Sequence, residues 1–333
     1  MDLLTHVMDV CPDGIFCLAA DTDRYHLQIA RAHSKVHLRH QSCSDEGTRG
    51  DARLGKEAAI LASGSLVPAL ENAEVVFVLA GMGGGTGSGA APVFSDIARK
   101  CGALVIGLVT KPFHFERGRL LTAVDSMRRM LNVCDTVILL DNQPPEPSSA
   151  VLPVGIIPDR TGQSCCAAID SIIQALRNSS FIAGGMREFR SMLRRGGLAK
   201  VGVGESYSFY GAAEEAALNA LRSSLLLGEL TEAGGVFVDI AADDAVPDVS
   251  LSGTLELISR QLSSEAELLL GRRSGEGGGI TKVNLIVTGV QFPYAWSGYR
   301  RFPLPLYELE PGSGEDEATG IELELPQLES IAA

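Results

Sequence analysis

The chain has 333 residues, 45% hydrophobic and 21% charged, which is enough for two domains with real cores, and seven cysteines without a C-x-x-C pair fit a reduced cytoplasm. A formal net charge of −13 excludes a nucleic-acid partner, because phosphate-backbone binding needs a basic stripe. No apolar run reaches the ~18–20 residues of a membrane span, and Met1-Asp2-Leu3-Leu4 lacks the basic start of a signal peptide, so neither direct membrane insertion nor secretion is expected.

A short helix over Leu3–Val10 precedes a buried strand, Ile15–Ala20, and the triplet Asp21-Thr22-Asp23 follows directly. Leu27–Ser34 has helical texture and Lys35–Leu38 reads as a second strand. The spacing of Leu54, Ala58, Leu61, Leu66 and Leu70 predicts one helix after a polar loop. Glu74–Ala80 (E-V-V-F-V-L-A), Ala103–Thr110 and Thr136–Asp141 are β-branched runs of the kind buried on both faces of a parallel sheet. Helices separate them: one contains Pro92, where the missing N–H costs nothing, and one spans Arg117–Asn132.

Strand and helix alternating in this way predict an α/β fold with a doubly wound, mostly parallel sheet. Ligands of such sheets bind at the carboxyl ends of the strands. Asp21–Asp23, a glycine loop at 81–89, Lys111–Glu116 and Asp141-Asn142 all fall at such ends. Five prolines between 144 and 158 break the pattern, and Cys165–Asn178 reads as one helix. Beyond Leu198, strands at Val201–Tyr210, Val236–Ala241 and Thr281–Val290 with helices at Ala212–Leu221 and Thr254–Leu262 describe a smaller α+β domain, with Gly275–Gly279 as a hairpin loop. Residues 301–333 carry eight acidic residues and one basic one, as a flexible tail would.

The loop itself is Gly81-Met82-Gly83-Gly84-Gly85-Thr86-Gly87-Ser88-Gly89. Its glycines permit positive φ and close backbone approach, so that successive N–H groups and the following helix N-terminus can face phosphate oxygens. Thr86 and Ser88 add hydroxyl donors. The spacing fits neither G-x-G-x-x-G nor G-x-x-x-x-G-K-[ST].

The wording A-G-M-G-G-G-T-G-S-G-A-A-P closely resembles the signature loop of the tubulin/FtsZ superfamily. T-R-G-D-A-R-L-G-K-E-A-A (48–59), V-T-K-P-F-H-F-E (109–116), C-D-T-V-I-L-L-D-N (134–142) and R-S-M-L-R-R-G-G-L-A-K-V-G-V-G-E (190–205) resemble FtsZ segments in the same order. The D-N form of the third points to archaeal FtsZ-like proteins. The resemblance implies a GTP-binding domain over 1–164, a central helix and catalytic-type loop over 165–189, a C-terminal α+β domain over 190–292 and an acidic tail over 293–333.

It also implies roles. Gly81–Gly89 would hold the phosphates of GTP or GDP, with Mg2+ accompanying GTP. Glu116 matches the acid at the ribose, and Asn142 a nucleotide-contacting asparagine. Asp170, in A-I-D-S-I-I-Q, matches the acid that reads guanine. Asp21 and Asp23 match a triplet near phosphate and metal, with strand-end capping as the plainer reading. The family's arginine near the loop falls on Leu120, with Arg119 or Arg117 as substitutes. The family completes hydrolysis with carboxylates from the next subunit of a head-to-tail protofilament, in the pattern N-x-D-x-x-D. Ala183-Gly184-Gly185-Met186-Arg187-Glu188 keeps only the last acid, Glu188, as the catalytic candidate. From Asp170 to this loop the helix counts about seven residues short of the family's, two turns or ~10 Å.

The chain opens where the family's first helix would begin, with no counterpart to the family's first strand and glycine-rich loop, as a truncated or mis-started chain would. The tail segment Gly320–Ile331 alternates apolar and acidic residues, and FtsZ tails of this kind dock on membrane-anchoring partners. Two functions follow from the resemblance: a filament-forming GTPase of cell division or cell shape, or a non-polymerising or catalytically inactive regulator that binds nucleotide or other FtsZ subunits. His33, His37 and His40 have metal-like spacing, but a strand there would spread them apart.

Overall fold

In the computed structural model the described residues are 15–43, 46–113, 116–140, 160–177, 182–183, 185–208, 210–223, 230–242, 248–275 and 279–291, together with 4, 7 and 8. All belong to one compact unit, Met1–Pro293. Asn142, the proline-rich stretch 144–158 and the acidic tail lie outside them.

The β-branched runs form strands where their apolar side chains can be covered on both faces. β3 (Val75–Gly81), β4 (Leu104–Thr110) and β5 (Thr136–Leu140) pair in parallel, with Val75 opposite Leu104 and Ile106 opposite Thr136. Every residue of β5 and all but the last of β4 are buried. Helix α4 (Gly85–Lys100) and helix α5 (Arg117–Val133) cover one face; at Gly107 a Cβ would lie 2.9 Å from Met130 of α5. The other face packs Leu104, Ile106, Leu108, Ile138 and Leu140 against α6 (Arg160–Arg177), through Cys165, Ile169 and Ile172.

β1 (Leu18–Asp21) and β2 (Ser34–His37) flank helix α1 (Arg24–Ile29) and, among the described residues, pair only with each other, in parallel. The stretch expected as one helix over 54–70 is two, α2 (Ala52–Leu61) and α3 (Ser63–Leu70), divided at Ala62.

The main sheet continues without interruption into the second half of the chain. Helix α7 (Met186–Arg194) follows the two-residue strand β6 (Ile182–Ala183). Next come β7 (Gly197–Ser206), helix α8 (Ala212–Leu221), β8 (Gly235–Ala242), helix α9 (Asp248–Ser259), β9 (Glu267–Ser274) and β10 (Thr281–Thr288). The order of the eight strands is β3-β4-β5-β7-β10-β8-β9-β6, and β7 joins the first half by parallel pairing of Thr136 with Gly197. An alanine face, Ala213, Ala216, Ala217 and Ala220, lets α8 sit close on this half. At Gly204 of β7 a Cβ would lie 2.0 Å from the Ala216 carbonyl oxygen.

The segment after Gly275 is no hairpin: β9 and β10 lie on either side of β8, so the connection crosses over it. β9 itself was not foreseen, because Gly271-Arg272-Arg273 breaks its apolar run.

Candidate functional site

At the carboxyl end of β3 the chain turns through Gly83, which has φ +91°, into α4. Gly83 has no room for a side chain: a Cβ would lie 2.5 Å from Pro112 Cγ and 2.8 Å from the Arg119 carbonyl oxygen. The loop divides into two sets of residues. Met82 is buried and its N–H donates to the Thr110 carbonyl; Ser88 is buried and accepts from the Gly83 N–H at 2.8 Å. Gly85 is buried against Thr48, where a Cβ would lie 1.9 Å from its Oγ1, and Gly89 against α2, where a Cβ would lie 2.2 Å from the Ala52 carbonyl oxygen. These residues shape the loop, and Ser88 is committed to it rather than offered outward. Gly81, Gly84, Thr86 and Gly87 keep exposure.

α4 has 16 residues, and its N-cap, Gly84, supplies no side-chain hydrogen bond. The N–H groups of its first turn therefore have no side-chain cap, and the helix dipole adds positive potential at the same place.

Five side chains gather at this turn. Thr86 Oγ1 lies 2.6 Å from Thr22 Oγ1 and donates to Asp21 Oδ1 at 3.2 Å, which ties the glycine loop to the end of β1. Arg119 Nε donates to the Gly83 carbonyl at 3.3 Å, and its Nη1 pairs with Glu116 Oε1 at 2.6 Å. The cation expected near the loop is thus present, carried by Arg119 instead of residue 120. Glu116 also accepts from the Phe113 N–H at 3.0 Å; that bond first, and Arg119 second, hold its carboxyl below the usual range, so it is an anionic acceptor at neutral pH. Thr22 is the one member of this cluster that sequence reasoning left without a role, although it lies inside the noted triplet Asp21-Thr22-Asp23.

Asp23 separates from this group. It caps α1, accepting from the His26 N–H at 3.0 Å, which is the plainer of its two readings. The three histidines separate as well: His33 accepts from the Cys17 N–H, His37 lies against the Thr22 carbonyl and His40 pairs with Glu57. No metal-holding group of three occurs among the described residues.

Asp170 is not brought to the loop cluster. Its carboxylate pairs with Arg273 of β9 at 2.9 Å, and Arg273 also donates to Asp239 of β8 at 3.1 Å. Ser171 and Asn284 complete this buried network on Asp239. The reason is helix length. α6 has 18 residues, about 27 Å, and begins ten residues before Asp170, which therefore sits about 15 Å along it. The short count from Asp170 to the next loop reflects its late place in this helix.

Glu188 lies in the first turn of α7 and is exposed. The apolar side of this helix, Phe189, Met192 and Leu193, is buried, and its contacts fix where it runs. Arg190 pairs with Glu74, at the amino end of β3, at 3.3 Å; the Thr136 hydroxyl, at the amino end of β5, donates to the Leu193 carbonyl. α7 thus lies at the amino ends of the strands and the glycine loop at their carboxyl ends. The seven residues of β3 between them span about 23 Å.

A model of the tubulin/FtsZ family GTPase domain matches residues 12–144, which contain the glycine loop and its neighbours. Cell division protein FtsZ 1 of Thermococcus kodakarensis is 32% identical over 327 residues, covering 98% of this chain and 85% of the relative. The chain belongs to the tubulin/FtsZ family. Cell division protein FtsZ 2 of Methanocaldococcus jannaschii is 31% identical over 296 residues, covering 87% of this chain and 77% of that protein. Among solved structures, the empty FtsZ dimer of M. jannaschii superposes with a TM-score of 0.77 at 25% identity, covering 86% of this chain and 84% of that one. A CetZ protein of Haloferax volcanii, solved as a GTPγS-bound protofilament, has a TM-score of 0.75 at 20% identity over 90% and 92%, which shows the shared fold. The FtsZ-like α/β architecture expected from the sequence is therefore present, with archaeal relatives. No described helix is long and apolar enough to cross a membrane.

Proposed function

We propose that this protein binds GTP at the first turn of α4 and assembles head to tail, each subunit's α7 completing the nucleotide site of the next. One observation carries the reading: the uncapped helix end and the exposed Glu188 sit at opposite ends of the same parallel strands. A contact between two such ends is heterologous and does not close, so it propagates as a filament.

Gly84, Thr86 and Gly87 would hold phosphate, with Arg119 as the nearby cation, and Glu116 would accept from a sugar hydroxyl. Asp21 would face the phosphates only with a divalent cation between them, which fits Mg2+ arriving with the triphosphate. Bound GTP supplies the phosphoanhydride bond that is cleaved. Glu188 would accept a proton from the attacking water, being the carboxylate left in the pattern at 183–188. The acidic tail over 293–333 would serve a membrane-anchoring partner.

Pelleting with GTP against GDP, with phosphate release followed in parallel, tests this. Filaments with GTP and a loss of turnover of roughly a hundredfold or more in Glu188→Ala, with assembly retained, are the expected results. Nucleotide binding without filaments or turnover would instead establish the second reading, a regulator, which the loss of the other two polar residues of the pattern (Ala183 and Gly185) favours.

A further inference from the structure

Glu188 is not the only charged group at the start of α7. The helix and its C-cap hold Arg187, Arg190, Arg194 and Arg195 against that single acid, in a chain whose net charge is −13. Arg190 is engaged by Glu74, and Arg195 donates to the Ser191 hydroxyl. Arg187 and Arg194 are exposed and have no hydrogen bond or ion pair among the described residues.

The backbone sets Arg187 and Glu188 at the tip. Gly185, the N-cap of α7, has φ +102°, and a Cβ there would lie 2.9 Å from Glu188 Oε2. Position 185 therefore takes glycine, and the Glu188 carboxylate lies beside it at the very start of the helix. Phe189 is buried two residues beyond Arg187. At ~100° per residue, Arg187 is then roughly 160° around the helix from Phe189, on the side away from the core. The first turn of α7 offers one guanidinium and one carboxylate outward on consecutive residues.

Charge indicates what such a pair can do. The pattern N-x-D-x-x-D would carry two carboxylates to a neighbour's triphosphate, and each is repelled by the phosphate it approaches. A-G-G-M-R-E carries one carboxylate and one cation, with no net charge. Such a pair serves both needs of phosphoryl transfer to water, an acceptor for the proton and a donor for the phosphoryl charge.

We propose that Arg187 is a second catalytic residue supplied in trans, its guanidinium donating to γ-phosphate oxygens of GTP held by the next subunit. This rests on the head-to-tail assembly. The water oxygen forms a bond to the γ-phosphorus and gives a proton to Glu188. The bond from that phosphorus to the β,γ-bridging oxygen breaks, leaving its electron pair on GDP. Arg187 stays protonated throughout and offsets the charge on the phosphoryl and leaving oxygens.

Phosphate release and pelleting with GTP, measured on the full-length chain and its variants, test this. Arg187→Ala should still pellet but lose turnover by about a hundredfold or more, and Arg187→Lys should recover little of it. Arg194→Ala removes an equally exposed arginine about 10 Å farther along the helix, and should turn over like the parent. Mixing reads the action in trans. Gly84→Asp is the second component: the nearest atom to a Cβ there is Arg119 Nη2 at 3.5 Å, so the side chain fits. An aspartate is favoured at an N-cap, and its carboxylate takes the place of phosphate at α4. Inactive alone, Gly84→Asp brings an intact Arg187 to Arg187→Ala subunits that still bind GTP. An equal mixture should regain turnover at least about tenfold above either variant alone. Parent-like turnover in Arg187→Ala, loss of its filaments along with turnover, or no gain on mixing would each overturn the role of Arg187 and leave the parent's assembly standing. A parent chain that neither pellets nor releases phosphate would overturn the assembly, and the role of Arg187 with it.

Discussion

The two halves of the chain handle their polar side chains in opposite ways. In the first half, Asp21, Thr22, Thr86, Glu116 and Arg119 gather at the strand tips, around a helix end without a side-chain cap. In the second half, Asp170, Ser171, Asp239, Arg273 and Asn284 meet beneath α6 and are satisfied by one another. Polar groups that face an uncapped backbone turn are available to a ligand, whereas polar groups that neutralise one another inside a fold are architecture. Asp170 shows why the partner decides the role: its residue type suits a base-reading acid, and its partner makes it a bolt between helix and sheet.

The largest effect should come from removing the cation of that bolt. Burial raises the pKa of Asp239, with Arg273 as the main opposing influence. In Arg273→Ala two carboxylates face each other without it, at a cost of about 3–5 kcal/mol in denaturant unfolding. The sign with pH follows. An acid whose folded pKa is raised binds more protons folded than unfolded, so its stabilising contribution is present at acid pH and lost as pH rises through the folded value. The deficit of Arg273→Ala should therefore be greatest at neutral pH and narrow toward acid, and Asp239→Asn should recover part of it. A deficit independent of pH would show that the network is ordinary packing.

The first half should respond instead to backbone crowding. Alanine normally stabilises a helix relative to glycine by up to ~1 kcal/mol. Gly118→Ala in α5 should show that gain, because nothing lies within 4 Å of its Cβ. Gly89→Ala should instead lose about 2 kcal/mol, because its Cβ would meet the Ala52 carbonyl oxygen at 2.2 Å and the Lys56 nitrogen at 2.5 Å, both backbone atoms that cannot rotate away. A gain in both variants on thermal unfolding would mean that α2 and α4 are not held at this separation.

These contrasts mark what the sequence carried. β3, β4, β5 and the glycine loop were legible because continuous β-branched runs and clustered glycines are local signals. β9 was not, because Arg272 and Arg273 look like loop residues until Asp239 and Asp170 are seen against Arg273. In the site, residue types located the loop, but only the packing separated the glycines that accommodate α2 from the positions left open to a ligand.

The smallest effect on stability, and the sharpest test of the contrast, belongs to Arg119. Its guanidinium is half-exposed, and so is its pair with Glu116; such pairs contribute roughly 0–1 kcal/mol. Arg119→Ala should therefore unfold within about 0.5 kcal/mol of the parent. Glu116 should stay ionised, because its larger support is the Phe113 N–H. If the tips of the first half are built for a ligand, the same variant should lose about tenfold in nucleotide affinity, since it removes the side-chain cation bonded to the phosphate-facing turn. Arg119→Lys should recover only part of that loss, because a lysine offers a point charge where the guanidinium reaches Gly83 and Glu116 together. Titration of a fluorescent GTP analogue beside a denaturant melt separates the two readouts. Unchanged affinity with reduced stability would place Arg119 with Arg273 among the structural cations and erase the distinction between the two halves.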